Sequence, residues 1–155
     1  MRAGPDLTKQ ELMTNPPHVI TRRQFYSQIQ SLFDPVGLGS PVLLVGKILL
    51  LKTWENGLEK LSWDDALPEP LVKEMIEFFI QLYELESIHF PRSLMPKNVE
   101  VIGKPDLVTF SDGSVLAFGA VSYIRWKISD NTWWSSIILS KSKIARKKLS
   151  KSAKT

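Results

Sequence analysis

The apolar positions of this chain change their period once. Up to about residue 90 they recur at helical spacing, and beyond residue 105 they come in dense β-like runs. Thr21-Arg-Arg-Gln24 reads as a capping box, with Thr at the cap and Gln three residues on. Phe25, Ile29, Leu32 and Phe33 follow at helical spacing, and the helix is expected to stop at Asp34-Pro35. In the tight connection Phe33-Asp-Pro-Val-Gly-Leu-Gly-Ser-Pro41, Gly37 and Gly39 permit positive φ, Ser40 is the expected N-cap and Pro41 the first helical residue. The next helix is predicted from Pro41 to about Leu61. Leu44, Ile48, Leu51 and Trp54 form one stripe with Val45 and Leu49 beside it, too broad for one narrow face, so this helix should lie between partners. Gly46 in its middle either permits close packing or only weakens it. After the polar loop Ser62–Pro70, a helix from Pro68 to Glu86 should turn Leu71, Met75, Phe78, Phe79, Leu82 and Tyr83 inward, with Glu74, Glu77, Glu84 and Glu86 outside.

Beyond a Pro-, Asn- and Gly-bearing stretch the periodicity shortens. Leu107–Asp112, Leu116–Trp126 and Thr132–Ser140 are rich in Val, Ile, Phe, Tyr and Trp and separated by turn residues. They predict a three-stranded antiparallel meander, with Asp130-Asn131 as the second turn. The fold class is therefore α+β. The chain divides into an irregular arm over 1–20, with a short turn of helix within Asp6–Glu11, a helical segment over 21–90, a linker over 91–104, the meander over 105–142 and a basic tail over 143–155.

Composition changes this picture little. In 155 residues, 43% hydrophobic and 23% charged residues suit a packed domain and exclude disorder of the whole chain. The absence of cysteine excludes disulfides and thiolate metal sites, and fits an intracellular setting. No signal peptide is expected, and the run Pro41–Leu51 is too short to span a bilayer, so a soluble chain with no membrane partner is anticipated.

The net charge of +4 is unevenly placed. Seven basic residues and no acidic one lie from Lys141 onward, leaving thirteen basic against sixteen acidic before that point. Lys141, Lys143, Arg146, Lys147 and Lys148 are the candidate phosphate contacts; the plain alternative is a solvated end.

Candidate chemistry centres on Phe110-Ser-Asp-Gly-Ser114. Asp112 closes an apolar run at the mouth of the expected sheet, where a carboxylate can hold a metal ion; Asp-Gly is equally an ordinary turn dipeptide. The order is not the Asp-Thr-Gly or Asp-Ser-Gly of aspartic proteases, and a dyad needs a second copy. His18 and His89, each without a second His or a Cys nearby, are weak metal candidates.

Longer motifs add to this reading. Phe33-Asp-Pro-Val-Gly-Leu-Gly-Ser-Pro-Val-Leu-Leu44, Leu61-Ser-Trp-Asp-Asp-Ala-Leu-Pro68, Ile88-His-Phe-Pro-Arg92, Phe110-Ser-Asp-Gly-Ser114 with Ala117-Phe-Gly-Ala-Val121, and Leu139-Ser-Lys-Ser-Lys-Ile-Ala145 follow in an order that resembles the Pao/BEL retrotransposon polyprotein. The similar segment there joins the reverse transcriptase to a ribonuclease-H-like domain and is often labelled a Pao peptidase. The resemblance runs from roughly Gly4 to Ala145, and Phe-Asp-Pro-x-Gly-x-x-Ser-Pro is its most specific part. It implies that Asp112 stands where the first-strand carboxylate of a ribonuclease H fold would help hold Mg²⁺ against an RNA–DNA hybrid.

The departures from the family carry equal weight. The family continues after the Ala145 position with a proline and then Ile-Pro-Arg-Leu-Glu-Leu, which supplies a second carboxylate. Here Arg146 takes the place of the proline, and no acidic residue follows Asp130. The end thus resembles a truncated or frame-shifted copy, with the reverse transcriptase carboxylates upstream of residue 1. The expectation is a polyprotein fragment without nuclease activity of its own and without a functional cofactor. It would bind RNA–DNA hybrid or other nucleic acid weakly through the basic tail, alongside the remainder of the polyprotein. Leu107, Val108, Phe110, Trp133 and Trp134 should lack part of their usual cover, which favours self-association. A protein interaction module with Asp112 as a turn residue is the first alternative. An aspartic peptidase active at acid pH is the second.

Overall fold

Local hydrogen bonding starts the helical part. Thr8 and Thr21 each accept from the backbone N–H three residues on, and Glu11 and Gln24 reach back to the cap N–H, so capping boxes open α1 (Lys9–Thr14) and α2 (Arg22–Gln30). The first turn of α1 pulls the Glu11 carboxyl below its ordinary range, chiefly through the Thr8 backbone N–H. Two longer helices follow, α3 (Ser40–Lys52) and α4 (Glu69–Glu84), and then three strands, β1 (Ile102–Gly113), β2 (Ala117–Ser129) and β3 (Thr132–Ile144). The structure is a computed structural model that describes residues 7–91 and 93–145. It is α+β: four helices and an open antiparallel sheet of order β1-β2-β3, with β2 in the middle.

The core belongs to the helices. Leu12, Ile20, Phe25, Ile29, Leu32, Leu49, Leu71, Val72, Met75, Phe78, Phe79 and Leu82 form one buried cluster. Phe25 meets Phe78 and Phe79 edge-on, at centroid distances of 5.9 and 5.4 Å. The stretch before residue 20, read as an irregular arm, thus holds α1 and gives Leu12 and Ile20 to this core. Tyr83 ties it down further, donating its hydroxyl to the Leu7 carbonyl at 2.6 Å.

Helix α3 is the middle layer, touching α2 and α4 on one side and β3 on the other. Gly46 decides its earlier ambiguity: a Cβ there would lie 2.5 Å from the Phe78 ring, so the glycine allows close packing of α3 on α4. Gly46→Ala should therefore destabilise the fold by about 1–3 kcal/mol, although alanine is the better helix former. Urea unfolding reads this directly; a rise in midpoint would show that the contact is loose.

Several expected boundaries move. Helix α3 ends at Lys52, not near Leu61, because Asn56 and Gly57 turn left-handed (φ 55° and 87°) and a 3₁₀ turn covers Leu58–Lys60. Helix α2 stops at Gln30, which leaves Phe33 outside it and 84% exposed. Ser40 is not the N-cap of α3; Gly39 holds that place with no side-chain cap, and the buried Ser40 hydroxyl bonds Ser142 of β3 instead. All three strands run longer than expected.

The reason α3 ends early is a cation. Arg22 is fully buried, and its guanidinium donates to Thr53 Oγ1 (3.1 Å) and to the carbonyls of Thr53 (2.5 Å), Leu58 (2.9 Å) and Leu61 (2.6 Å). It also lies 3.6 Å from the Trp54 ring centroid. Chain that would otherwise continue α3 is folded back so that its carbonyls converge on Arg22. Neighbouring Arg23 pairs with Asp64 through two hydrogen bonds, which hold the Asp64 carboxyl below its ordinary range.

The two layers meet at one seam. Asp34 accepts from the N–H groups of Leu38 (2.8 Å) and Gly39 (2.9 Å) and so shapes the loop before α3. That loop lies along β3: Ser140 N–H donates to the Val36 carbonyl at 2.8 Å, and Ser142 Oγ donates to the Ser40 carbonyl at 2.9 Å. The sequence pattern Phe-Asp-Pro-x-Gly-x-x-Ser-Pro is thus an edge clamp, covering backbone groups of an edge strand. The opposite edge, β1, has no such cover among the described residues, and Leu107 (69% exposed) and Phe110 (61%) stand largely open, as expected.

Candidate functional site

Register decides what Asp112 can do. In the sheet Asp112 pairs with Gly119, and Gly119 with Ser142; Phe110, Val121 and Ser140 form the next rung but one. Paired residues share a face, and alternate residues share it too. Asp112 therefore stands on the same face as Phe110, Val121, Tyr123 and Ser142. The Ser142–Ser40 bond shows that this is the face turned toward α3. Leu38, Pro41, Leu44 and Phe90 bound the opposite wall, leaving an open, mostly apolar cleft with Asp112 at its rim.

The local backbone differs from the turn reading. Gly113 pairs with Phe118 as the last residue of β1, and its φ is not positive. The reversal falls at Ser114-Val115-Leu116, where Ser114 Oγ accepts from the N–H groups of Leu116 and Ala117 and Ser114 N–H donates to the Ala117 carbonyl at 2.7 Å. Asp112 is an exposed strand residue whose Oδ1 accepts from the Gly113 N–H at 2.8 Å.

The other sequence-predicted residues fall elsewhere. Lys141 pairs with Ala120 and Lys143 with Phe118, which places both lysines on the face of the sheet away from α3. Asp112 and the lysines are thus two strands apart and on opposite faces. Arg146, Lys147 and Lys148 lie outside the described residues. His18 and His89 are exposed, and no group of three or more His, Cys, Asp or Glu gathers among the described residues.

The donor set near Asp112 can be tested against Mg²⁺. A two-metal centre needs several oxygen ligands around ions about 4 Å apart. On Asp112's own strand the next carboxylate is Asp106, six residues back on the same face, about 20 Å away at strand rise. Asp106 is occupied with Arg125 at 3.0 Å, and Asp130 with Lys127 at 3.1 Å. Asp34 spends its carboxylate on its own loop. Among the described residues one carboxylate reaches the rim, and this set does not fit a two-metal centre.

A scan of family models matches residues 21–153 to the Pao retrotransposon-like RNaseH-like domain. The chain belongs to the Pao retrotransposon family. The match takes in α2 to β3, so helical layer and sheet are one family unit. The description names an RNase H-like domain and no peptidase. No curated protein and no solved structure matches the chain. No helix among the described residues is long and apolar enough to cross a membrane.

Sequence reasoning passed over Phe118 as a site residue. Its place follows from strand pairing, Phe118 standing opposite Gly113 on β1 and Lys143 on β3, which is legible only once the turn is known to fall at residues 114–116.

Proposed function

We propose that this Pao-family chain engages nucleic acid without cutting it. One observation carries this reading: by strand register Asp112 projects from the face toward α3 with no second carboxylate beside it among the described residues, while Lys141 and Lys143 project from the other face, where they can meet phosphates. The lysine face continues in sequence into Arg146, Lys147 and Lys148, a run suited to phosphates and to no metal. Within a Pao polyprotein this region would hold template in place while catalysis proceeds elsewhere.

The test is incubation of the chain with an RNA–DNA hybrid and Mg²⁺ or Mn²⁺. Intact hybrid is expected, together with binding that weakens as salt rises. Replacing Lys141 and Lys143 with glutamine should lower the slope of log affinity against log salt by about 2. Cleavage that Asp112→Asn abolishes would overturn the proposal.

A further inference from the structure

The far end of the lysine face has more structure than a basic patch. Its residues come from two rungs on either side of the Asp112–Gly119–Ser142 rung: Gly113, Phe118 and Lys143 on one, Ser111, Ala120 and Lys141 on the other. All six residues are exposed, and with Asp112 and Gly119 they line an open recess at this end of the sheet. Gly113 and Ala120 give it a low floor. Phe118, half exposed, rises from the central strand as an aromatic wall. Lys141 and Lys143 run along β3 on one side, and the Ser111 hydroxyl stands on β1 on the other.

Charge is segregated across the sheet. By register, Asp106 and Asp112 both project toward the helical side, as do Arg125 and Lys127. The regularly paired positions of the outer face hold no acidic residue, and its charged residues are Lys141 and Lys143. Asp112 borders the recess from the other face, and the two lysines outnumber it, so the recess carries a net positive charge that attracts anions.

We infer that this recess binds single-stranded nucleic acid, one base lying against Phe118 over the Gly113–Ala120 floor while adjacent phosphates follow Lys143 and Lys141. The combination of a stacking ring and a cationic rail is what unpaired strands require, since their bases are free to stack. A paired hybrid offers the lysines its phosphates but hides its base faces from Phe118. The inference rests on the nucleic-acid reading above and narrows it to unpaired strands.

Anisotropy of labelled oligothymidylate and of an RNA–DNA hybrid, titrated with the full chain at one low salt concentration, tests it. Phe118→Leu should weaken oligothymidylate binding about tenfold, and leave the hybrid within about twofold. Phe118 is exposed, and circular dichroism checks that the variant folds. If Phe118→Leu changes neither ligand while Lys141→Gln/Lys143→Gln weakens both, the single-strand inference falls and the nucleic-acid reading stands. If the lysine variant also changes nothing, both fall. Binding to anionic lipid vesicles with no binding to oligothymidylate would overturn both in favour of a membrane surface, which the exposed Val115 and Leu116 at the adjoining turn would then explain.

Discussion

Replacing Gly37 with alanine is expected to loosen the helical layer from the sheet and to lower stability by about 2–5 kcal/mol. Two penalties combine. Gly37 has φ +77°, a conformation that costs an L-residue about 1–2 kcal/mol. A Cβ built there would also lie 1.7 Å from the carbonyl oxygen of Ser140 and 2.5 Å from its carbon. That atom is β3 backbone, held by pairing to β2 and by the Ser140–Val36 hydrogen bond, so the overlap is relieved only by parting the seam. Gly57 supplies the control. Its φ is +87°, yet a Cβ there meets nothing within 4 Å. Gly57→Ala should show the backbone penalty alone, about 1 kcal/mol. The two variants, compared by urea unfolding, separate strain from collision. Equal losses would mean that the loop does not sit tightly on β3.

Arg22→Met should destabilise by about 3–5 kcal/mol. Methionine fills similar length but donates nothing, so the carbonyls of Thr53, Leu58 and Leu61 lose their partner. A buried acceptor left unmade costs about 1–3 kcal/mol, and partial rehydration near the half-buried Leu58 and Leu61 keeps the total below the sum of three. Arg22→Lys should recover less than half, because an ammonium cannot span carbonyls that the planar guanidinium reaches in one fork. Trp54 fluorescence gives an independent readout, since the guanidinium lies on its ring. A loss below about 1 kcal/mol, or full rescue by lysine, would contradict a carbonyl cage that needs this side chain.

Both predictions concern contacts that span the chain, and this marks what was legible beforehand. The capping box at Thr21, the inward stripe of α4 and the three strands follow from patterns within a dozen residues, where periodicity and capping dictate the outcome. Helix α3 misled because its apolar run continues past Lys52. What ends it is the demand of Arg22, thirty residues earlier, for carbonyls that a helix would keep for itself. Ser40 misled for a similar reason: a good capping residue was used for a tertiary bond to Ser142. At the candidate site, Asp112, Lys141 and Lys143 were recognisable as residues of interest. Their separation onto opposite faces was not, because a shift of one residue in the β1–β2 turn would exchange the faces.

The sequence by itself determined the α+β class, the Pao family resemblance and the clustering of positive charge after Asp130, since these depend on local patterning and composition. Only the tertiary structure decided that the Phe33–Pro41 segment clamps the edge of β3, that Arg22 lies in a carbonyl cage, and that Asp112 and the lysines face apart. Those depend on register and on contacts between residues up to a hundred positions distant, which no local pattern encodes.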